Sequence, residues 1–475
     1  MNDLLPIALI NANDAPTSSP PLSLLCLSTI LENNGYRTQI FDIALQPNLK
    51  KVLLESVNKK HFLWLGFTSM TPAIPAVKRI IEDIRNLDKN LPIMLGGIHA
   101  SCLPKETLEE LDISAVCIGD GDDVCLEFSK KVRFGEYDYW NIPGVASFEL
   151  QINNKGFCKK KYRYLPELLS GRQTKPLPRP DWNKININDY QKVNIQFIRQ
   201  KKIVAPVITA KGCPFSCSFC AVPEFSGRKI VSRTIKDVAD EIEFLYREHG
   251  VEEFHIFDDI FNIKLSYAKN LLKEIIRRNL QIVWKAPVGF WILSYDEEFL
   301  DLLQESGCYQ VGFGIESGSA EILQNVNKHT AGKLSQIPDI LKKYQARNIS
   351  TFGFFILGLP GETKNTIKQT IKYACSLPLD FIHVGLFTPY PGSKIFQKLI
   401  ESRNYTNNWS EYFHYHNDDG LNACDIPTKR LRRFMLYFYI RFFIAPRRFW
   451  NLLVAIQKGG LWSFLRLLKK TVANM

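Results

Sequence analysis

The sequence predicts an α/β protein. An N-terminal doubly wound, Rossmann-like parallel sheet leads to a partial (β/α)6 barrel of the TIM type, and a helical C-terminal region follows. Three observations predict it. Short apolar runs alternate with helical patterns from residue 6 to about 135, a proline-bearing connector interrupts them, and the alternation resumes at Ile203. The predicted domains are 1–137, a linker with a hairpin at 138–200, the barrel at 201–400 and a basic, aromatic helical region at 401–475.

In the first domain, residues 6–10 read as a strand and 21–34 as a helix stopped by Gly35. Strands follow at 37–43 and 62–69. The stretch 75–87 carries Val77, Ile80, Ile81 and Ile84 at helical spacing. Residues 92–95 form a strand ending in Gly96-Gly97, and 115–118 one ending in Gly119-Asp120-Gly121. Ligands of such sheets sit outside the carboxyl ends of the strands. Those ends carry Thr68-Ser69-Met70-Thr71, Gly96-Gly97-Ile98-His99 and Gly119-Asp120. No G-x-G-x-x-G fingerprint follows the first strand. In the connector, 145–152 and 157–164 flank Asn153-Asn154-Lys155-Gly156 as a hairpin, and prolines stiffen the segment 175–182 after it. Barrel strands are expected near 203–209, 253–257, 281–286, 309–315, 351–357 and 381–387. The clearest helices lie at 233–249, 266–279, 296–306 and 365–376.

The chain has 475 residues and 11 cysteines with no regular framework, which fits a reducing cytoplasm better than a disulfide scaffold. The N-terminus reads as no secretory signal, and no apolar run is long enough to span a bilayer. Net charge is +12, and no acidic residue follows Asp425. This bias suggests an anionic partner, a membrane surface or an acidic substrate ahead of nucleic acid. The basic residues after Lys429 interleave with Phe, Tyr and Trp. That pattern suits either a peripheral membrane contact or, more plainly, a helical cap whose aromatics are core.

The central stretch is Ala210-Lys211-Gly212-Cys213-Pro214-Phe215-Ser216-Cys217-Ser218-Phe219-Cys220, after the first barrel strand. Its spacing is C-x3-C-x2-C. Three thiolates on one loop can hold three corners of an iron–sulfur cube and leave one iron open. Structural cysteines or a zinc knuckle are the alternatives. Zinc wants a fourth close ligand, and after Cys220 no Cys or His occurs until His249.

The spacing, with Phe219 before the last cysteine, resembles that of the radical S-adenosylmethionine (radical SAM) enzymes. The resemblance implies a [4Fe–4S] cluster on Cys213, Cys217 and Cys220 whose open iron binds S-adenosylmethionine. An electron from the cluster then yields a 5′-deoxyadenosyl radical. The first domain resembles the cobalamin-binding domain that precedes many such barrels. The resemblance implies cobalamin near Thr68, Ser69, Met70, Thr71, Gly96, Gly97, His99, Gly119 and Asp120. Residues 11–27 hold no His, so the cobalamin would be base-off without a protein histidine ligand. The glycines of the second turn suit a flat macrocycle approaching bare backbone. In the barrel, the resemblance puts Asp258 and Asp259 beside the methionine moiety. Glu316 and Ser317 then lie at the ribose and methionine carboxylate, and backbone near Phe219 and Ile356 at adenine. The plainer readings are a cap or loop ion pair for the two aspartates, a barrel ion pair for Glu316, a loop hydrogen-bonder for His99, and a first-turn helix residue for Glu362.

The implied activity is methylation of an unactivated carbon of a small molecule or lipid. Substrate would lie between the two domains, and an electron donor of the flavodoxin or ferredoxin type would be needed. Cyclisation, ring contraction or oxygenation with the same cofactors is the alternative. A non-catalytic cobalamin sensor is the alternative of another class, and the intact cysteine motif argues against it.

Overall fold

The computed structural model describes residues 5–14, 19–152, 158–166, 175–191, 199–401, 408–412 and 423–459. The turn expected at 153–156 and the tail beyond Gly459 lie outside the described residues. The chain forms two compact units. One comprises Met1–Val193 with Glu224–Val231 and Asn408–Ser410, and the other the remainder.

In the first unit seven strands form one sheet: β1 (Ile7–Asn11), β2 (Thr38–Asp42), β3 (Leu65–Thr68), β4 (Ile93–Gly96), β5 (Ala115–Cys117), β6 (Val145–Ile152) and β7 (Cys158–Tyr164), in the order β2-β1-β3-β4-β5-β6-β7. The first five pair in parallel, the doubly wound order expected of alternating strands and helices. In-register pairing sets Asn11, Thr68 and Gly96 in a row at the carboxyl ends. Helix Ile74–Leu87 buries Val77, Ile80, Ile81 and Ile84, the stripe its sequence spacing predicts. Trp64 is buried edge-on to Phe128, 5.1 Å between centroids, and donates to Ser129 Oγ at 3.0 Å.

The hairpin expected in the connector is present, and it is more than a spacer. β6 pairs antiparallel with β5 and so extends the sheet. The prolines of 175–182 likewise do not hold a free linker. Thr29 Oγ1 donates to Arg179 O at 2.7 Å, Trp182 is buried, and Tyr190 donates to Asp42 Oδ2 at 2.7 Å.

The second unit contains β8 (Val204–Val207), β9 (Glu253–Ile256), β10 (Val283–Phe290), β11 (Cys308–Glu316), β12 (Ser350–Leu357) and β13 (Phe381–Leu386). They form a six-stranded parallel sheet in strict chain order. Three of its helices begin on side-chain caps. Thr234 accepts from Asp237 N, Asp296 from Phe299 N, and Thr363 forms a reciprocal capping box with Thr366. Helix Thr428–Phe443 packs along β13, burying Leu431, Met435, Phe438 and Phe442, and Tyr439 Oη accepts from Val384 N at 2.9 Å. The cap reading of the aromatic tail therefore holds for this face. Among the described residues no helix is long and apolar enough to cross a membrane.

Candidate active site

A cavity of about 520 Å³ opens at the carboxyl ends of the barrel strands. Its lining comes from β10 to β13 and from the turns after β8 and β9. Cys213, Cys217, Cys220, Phe219, Asp259, Glu316 and Ile356 all stand on its wall. The sequence brings them together because parallel strands of similar length deliver their following turns to one end.

The cysteine loop is held on three sides. Gly212 N donates to Asp259 Oδ2 at 2.8 Å, Ser218 N donates to Val326 O at 3.0 Å, and Ser218 O accepts from Ile395 N at 3.1 Å. Cys220 N closes a turn onto Cys217 O at 3.1 Å. Phe215 packs between Trp291 and His329, with centroids 5.0 and 4.4 Å away. The three cysteines are free thiols and half-buried. Burial pushes all three up in pKa, Cys220 to about 12. Among the described residues no three such ligands stand close enough to share one metal ion. Three thiols carried on one loop and on one cavity wall are a donor set suited to a cube, in which each thiolate takes a different iron.

Glu316 lies at a register shift between β11 and β12 and has φ +66°, which turns its carboxylate into the cavity. Lys328 Nζ donates to Glu316 Oε1 at 2.8 Å and stands 5.9 Å from the Phe219 ring. Burial opposes the Lys328 charge, but Glu316 and the thiols of Cys217 and Cys220 raise its pKa above the usual lysine value. Gly314 leaves the space this pair fills. A Cβ there would meet Glu316 Oε1 at 2.5 Å and Lys328 Nζ at 3.1 Å.

Two of the expected contact residues, Asp258 and Ser317, do not line this cavity. Asp258 is buried off the cavity. It accepts from Thr209 N at 2.6 Å and from Thr209 Oγ1, and burial pushes it up to about 7. Ser317 is fully buried against Thr370 Oγ1 at 2.9 Å and accepts from Ser319 N. Each is the neighbour of a cavity residue and turns the other way, as successive residues at a strand end do. Glu362 lies just before the helix cap Thr363, not in the first helical turn. Its buried carboxylate accepts from Gly358 N in its own turn.

The Radical SAM superfamily matches residues 207–374, and the B12 binding domain matches residues 9–129. This chain is a radical SAM protein with a B12 binding domain. It is 25% identical over 433 residues to an uncharacterized methyltransferase of Pyrococcus horikoshii, covering 91% of this chain and 89% of that one. It is 29% identical over 384 residues to the anaerobic magnesium-protoporphyrin IX monomethyl ester cyclase of Rubrivivax gelatinosus, covering 80% of this chain and 66% of that one. In fold it is similar to TsrM, a radical S-adenosylmethionine methyltransferase from Kitasatospora setae. Identity there is 23%, coverage 84% of this chain and 78% of that one, and the TM-score 0.70.

In this radical SAM protein's B12 binding domain, Thr68, Ser69, Gly96 and Gly97 adjoin at the ends of β3 and β4. Ser69 N donates to Gly96 O at 3.0 Å, and Ser69 Oγ to the same oxygen at 3.2 Å. Gly97 has φ +99°, and a Cβ there would meet Ser69 O at 2.5 Å. Its missing side chain therefore serves the chain's own turn. At Gly96 the space is open, since a Cβ there would meet only Cys117 Cβ at 3.6 Å. Met70 is exposed, while Thr71 is buried. His99 is buried with Nδ1 3.3 Å from Thr71 Oγ1, and its ring lies edge-on to Trp409 of the same unit at 4.7 Å. Burial pulls its pKa down to about 4. In this turn it acts as a loop hydrogen-bonder to Thr71. Gly119 N donates to Ser101 Oγ at 3.0 Å, and Asp120 is half-buried beside it.

Sequence reasoning missed Lys328, Trp291 and His383 on the cavity wall. The adjacent pair Lys328-His329, in a loop after a short helix, was the available signal.

Proposed function

We propose that the chain is a radical S-adenosylmethionine enzyme that uses cobalamin to methylate an unactivated carbon of a small molecule or lipid. One observation carries this reading: the three loop cysteines and the Lys328–Glu316 pair open into the same cavity. When bound, the cluster and cobalamin supply the electron that cleaves S-adenosylmethionine and the methyl group that substrate receives. Cys213, Cys217 and Cys220 would hold the cluster. Their high thiol pKa values mean that protons must leave as the metal binds.

The chain's own residues do the positioning. Lys328 and Glu316 offer one positive and one negative group, which complements the carboxylate and amino ends of a methionine moiety. Asp259 fixes the cysteine loop through Gly212 N and keeps an edge on the cavity. Phe219 and Ile356 belong to one apolar cluster with Leu359 and Phe387, a wall suited to an adenine face. Val288, Phe290, Trp291 and Phe354 add apolar lining that limits water at a reactive intermediate. A small acidic protein of the flavodoxin or ferredoxin type would donate the electron. At the first sheet, Thr68, Ser69 and Gly96 remain the candidate cobalamin contacts, with Gly119 and Asp120 on the neighbouring turn.

The methyltransferase likeness covers most of both chains, which favours methyl transfer. The higher identity to the cyclase supports a second reading, ring closure with the same cofactors. Anaerobic reconstitution with iron, sulfide and hydroxocobalamin, followed by S-adenosylmethionine and reductant, tests the proposal. Turnover to 5′-deoxyadenosine and S-adenosylhomocysteine with a methylated product is expected. Adenosyl products without any methylated product would favour the cyclase reading, and no turnover would count against both.

A further inference from the structure

The C-terminal helices Thr428–Phe443 and Pro446–Gly459 carry apolar side chains on more than one face. In the first helix Leu431, Met435, Phe438 and Phe442 are buried, and that stripe suffices to seat it. Leu436, Ile440 and Ile444 repeat every four residues on another face, with Ile440 54% and Ile444 67% exposed. Tyr437, Phe449, Trp450 and Leu453 are exposed as well, Trp450 by 67%. Isolated exposed apolar residues are ordinary. Here seven of the sixteen large ones found among the described residues fall between 436 and 453, and that concentration needs a partner.

The charge on the same helices says which partner. Lys429, Arg430 and Arg433 form an open groove of about 720 Å³ with Phe434 and Tyr437, and Arg441 is exposed further along. Arg447 pairs with Asp380 at 3.2 Å, and Arg448 lies 4.1 Å over the Phe442 ring and donates to Leu377 O at 2.7 Å. No ion pair among the described residues takes up Lys429, Arg430, Arg433 or Arg441. No carboxylate side chain follows Asp425 in the sequence. An acidic soluble protein would answer the cations and leave Ile444 and Trp450 in water. A bilayer interface answers both, with acyl chains for the apolar groups and phosphates for the cations.

We propose that this face docks on an anionic bilayer, with Ile440, Ile444, Phe449 and Trp450 entering the interface and Lys429, Arg430, Arg433 and Arg441 meeting lipid phosphates. The surface does not depend on the cofactor reading. If the substrate is a lipid, it would also bring the enzyme to its source.

Flotation of the full chain with vesicles tests it, using phosphatidylcholine alone and phosphatidylcholine with phosphatidylglycerol in equal parts. Binding to the mixed vesicles should exceed binding to the neutral ones about tenfold or more at low salt and fall at high salt. The double variant Arg430→Glu/Arg433→Glu should lose roughly tenfold or more. Ile444→Ser/Trp450→Ser should lower binding with iron content and unfolding midpoint unchanged, since both residues are exposed. Absence of flotation, equal binding to neutral vesicles, or full binding by the Ile444→Ser/Trp450→Ser variant would overturn the proposal. So would a lipid-free dimer that the same variant dissociates, which would make the face a contact between copies.

Discussion

Lys328 donates a 2.8 Å hydrogen bond to Glu316, a non-glycine residue held at φ +66°. Such a backbone conformation costs about 1–3 kcal/mol and persists where surrounding structure enforces it. Here the register shift after Gly314 enforces it and sets a charge pair on the wall that also bears the cysteines.

The pair should matter to S-adenosylmethionine and not to the cluster. Lys328→Met should keep wild-type iron content and weaken S-adenosylmethionine binding about tenfold or more, because charge-assisted hydrogen bonds contribute about 1.5–3 kcal/mol. Gly314→Ala should act in the same direction, since its Cβ would enter the space of both charged groups. Equilibrium dialysis against reconstituted protein measures both. Unchanged affinity in both variants would remove the pair from the site.

The two glycines after β4 should separate. Gly97→Ala puts a Cβ 2.5 Å from Ser69 O at φ +99° and should destabilise the first unit by at least about 2 kcal/mol. Gly96→Ala meets only ordinary contact, so it should leave the unfolding midpoint unchanged and weaken cobalamin binding if corrin approaches there. Denaturant unfolding and cobalamin titration of the two variants measure this. Equal stability of both variants would contradict the steric account.

Acid should weaken the first unit through His99. Burial lowers its folded pKa to about 4, against about 6.5 unfolded, so below the unfolded value the unfolded chain binds the extra proton. The stability this group contributes is full above pH ~6.5 and is lost as pH falls toward 4, roughly 3 kcal/mol in all. His99→Asn should flatten that slope by about one proton in denaturant titrations from pH 7 to 4. An unchanged slope would mean that His99 is not buried neutral.

The strand–helix alternation was legible because buried parallel strands are continuous apolar runs. Helix Leu49–Asn58 went unread although Leu49, Val52, Leu53 and Val57 stand at helical spacing; only Leu53 and Val57 are buried. At the site, the turn after each strand was legible, but which neighbour faced inward was not. Asp259 and Glu316 face the cavity while Asp258 and Ser317 turn into the core, and that choice depends on a register shift and on Thr209 and Thr370 arriving from elsewhere in the chain. Trp409 illustrates the remaining limit. It packs on His99 and donates to Glu110 Oε2 at 2.7 Å, 299 residues away, and no local pattern announces such a pairing.

The most direct test of the account is the iron bound by the cysteine loop. Wild-type protein and the Cys213→Ala/Cys217→Ala/Cys220→Ala variant would be reconstituted without oxygen, and iron, sulfide and visible absorption recorded. About four irons and four sulfides per wild-type chain, with almost none in a variant that keeps its fold by circular dichroism, is the predicted result. Wild-type-like iron in the triple variant would contradict it.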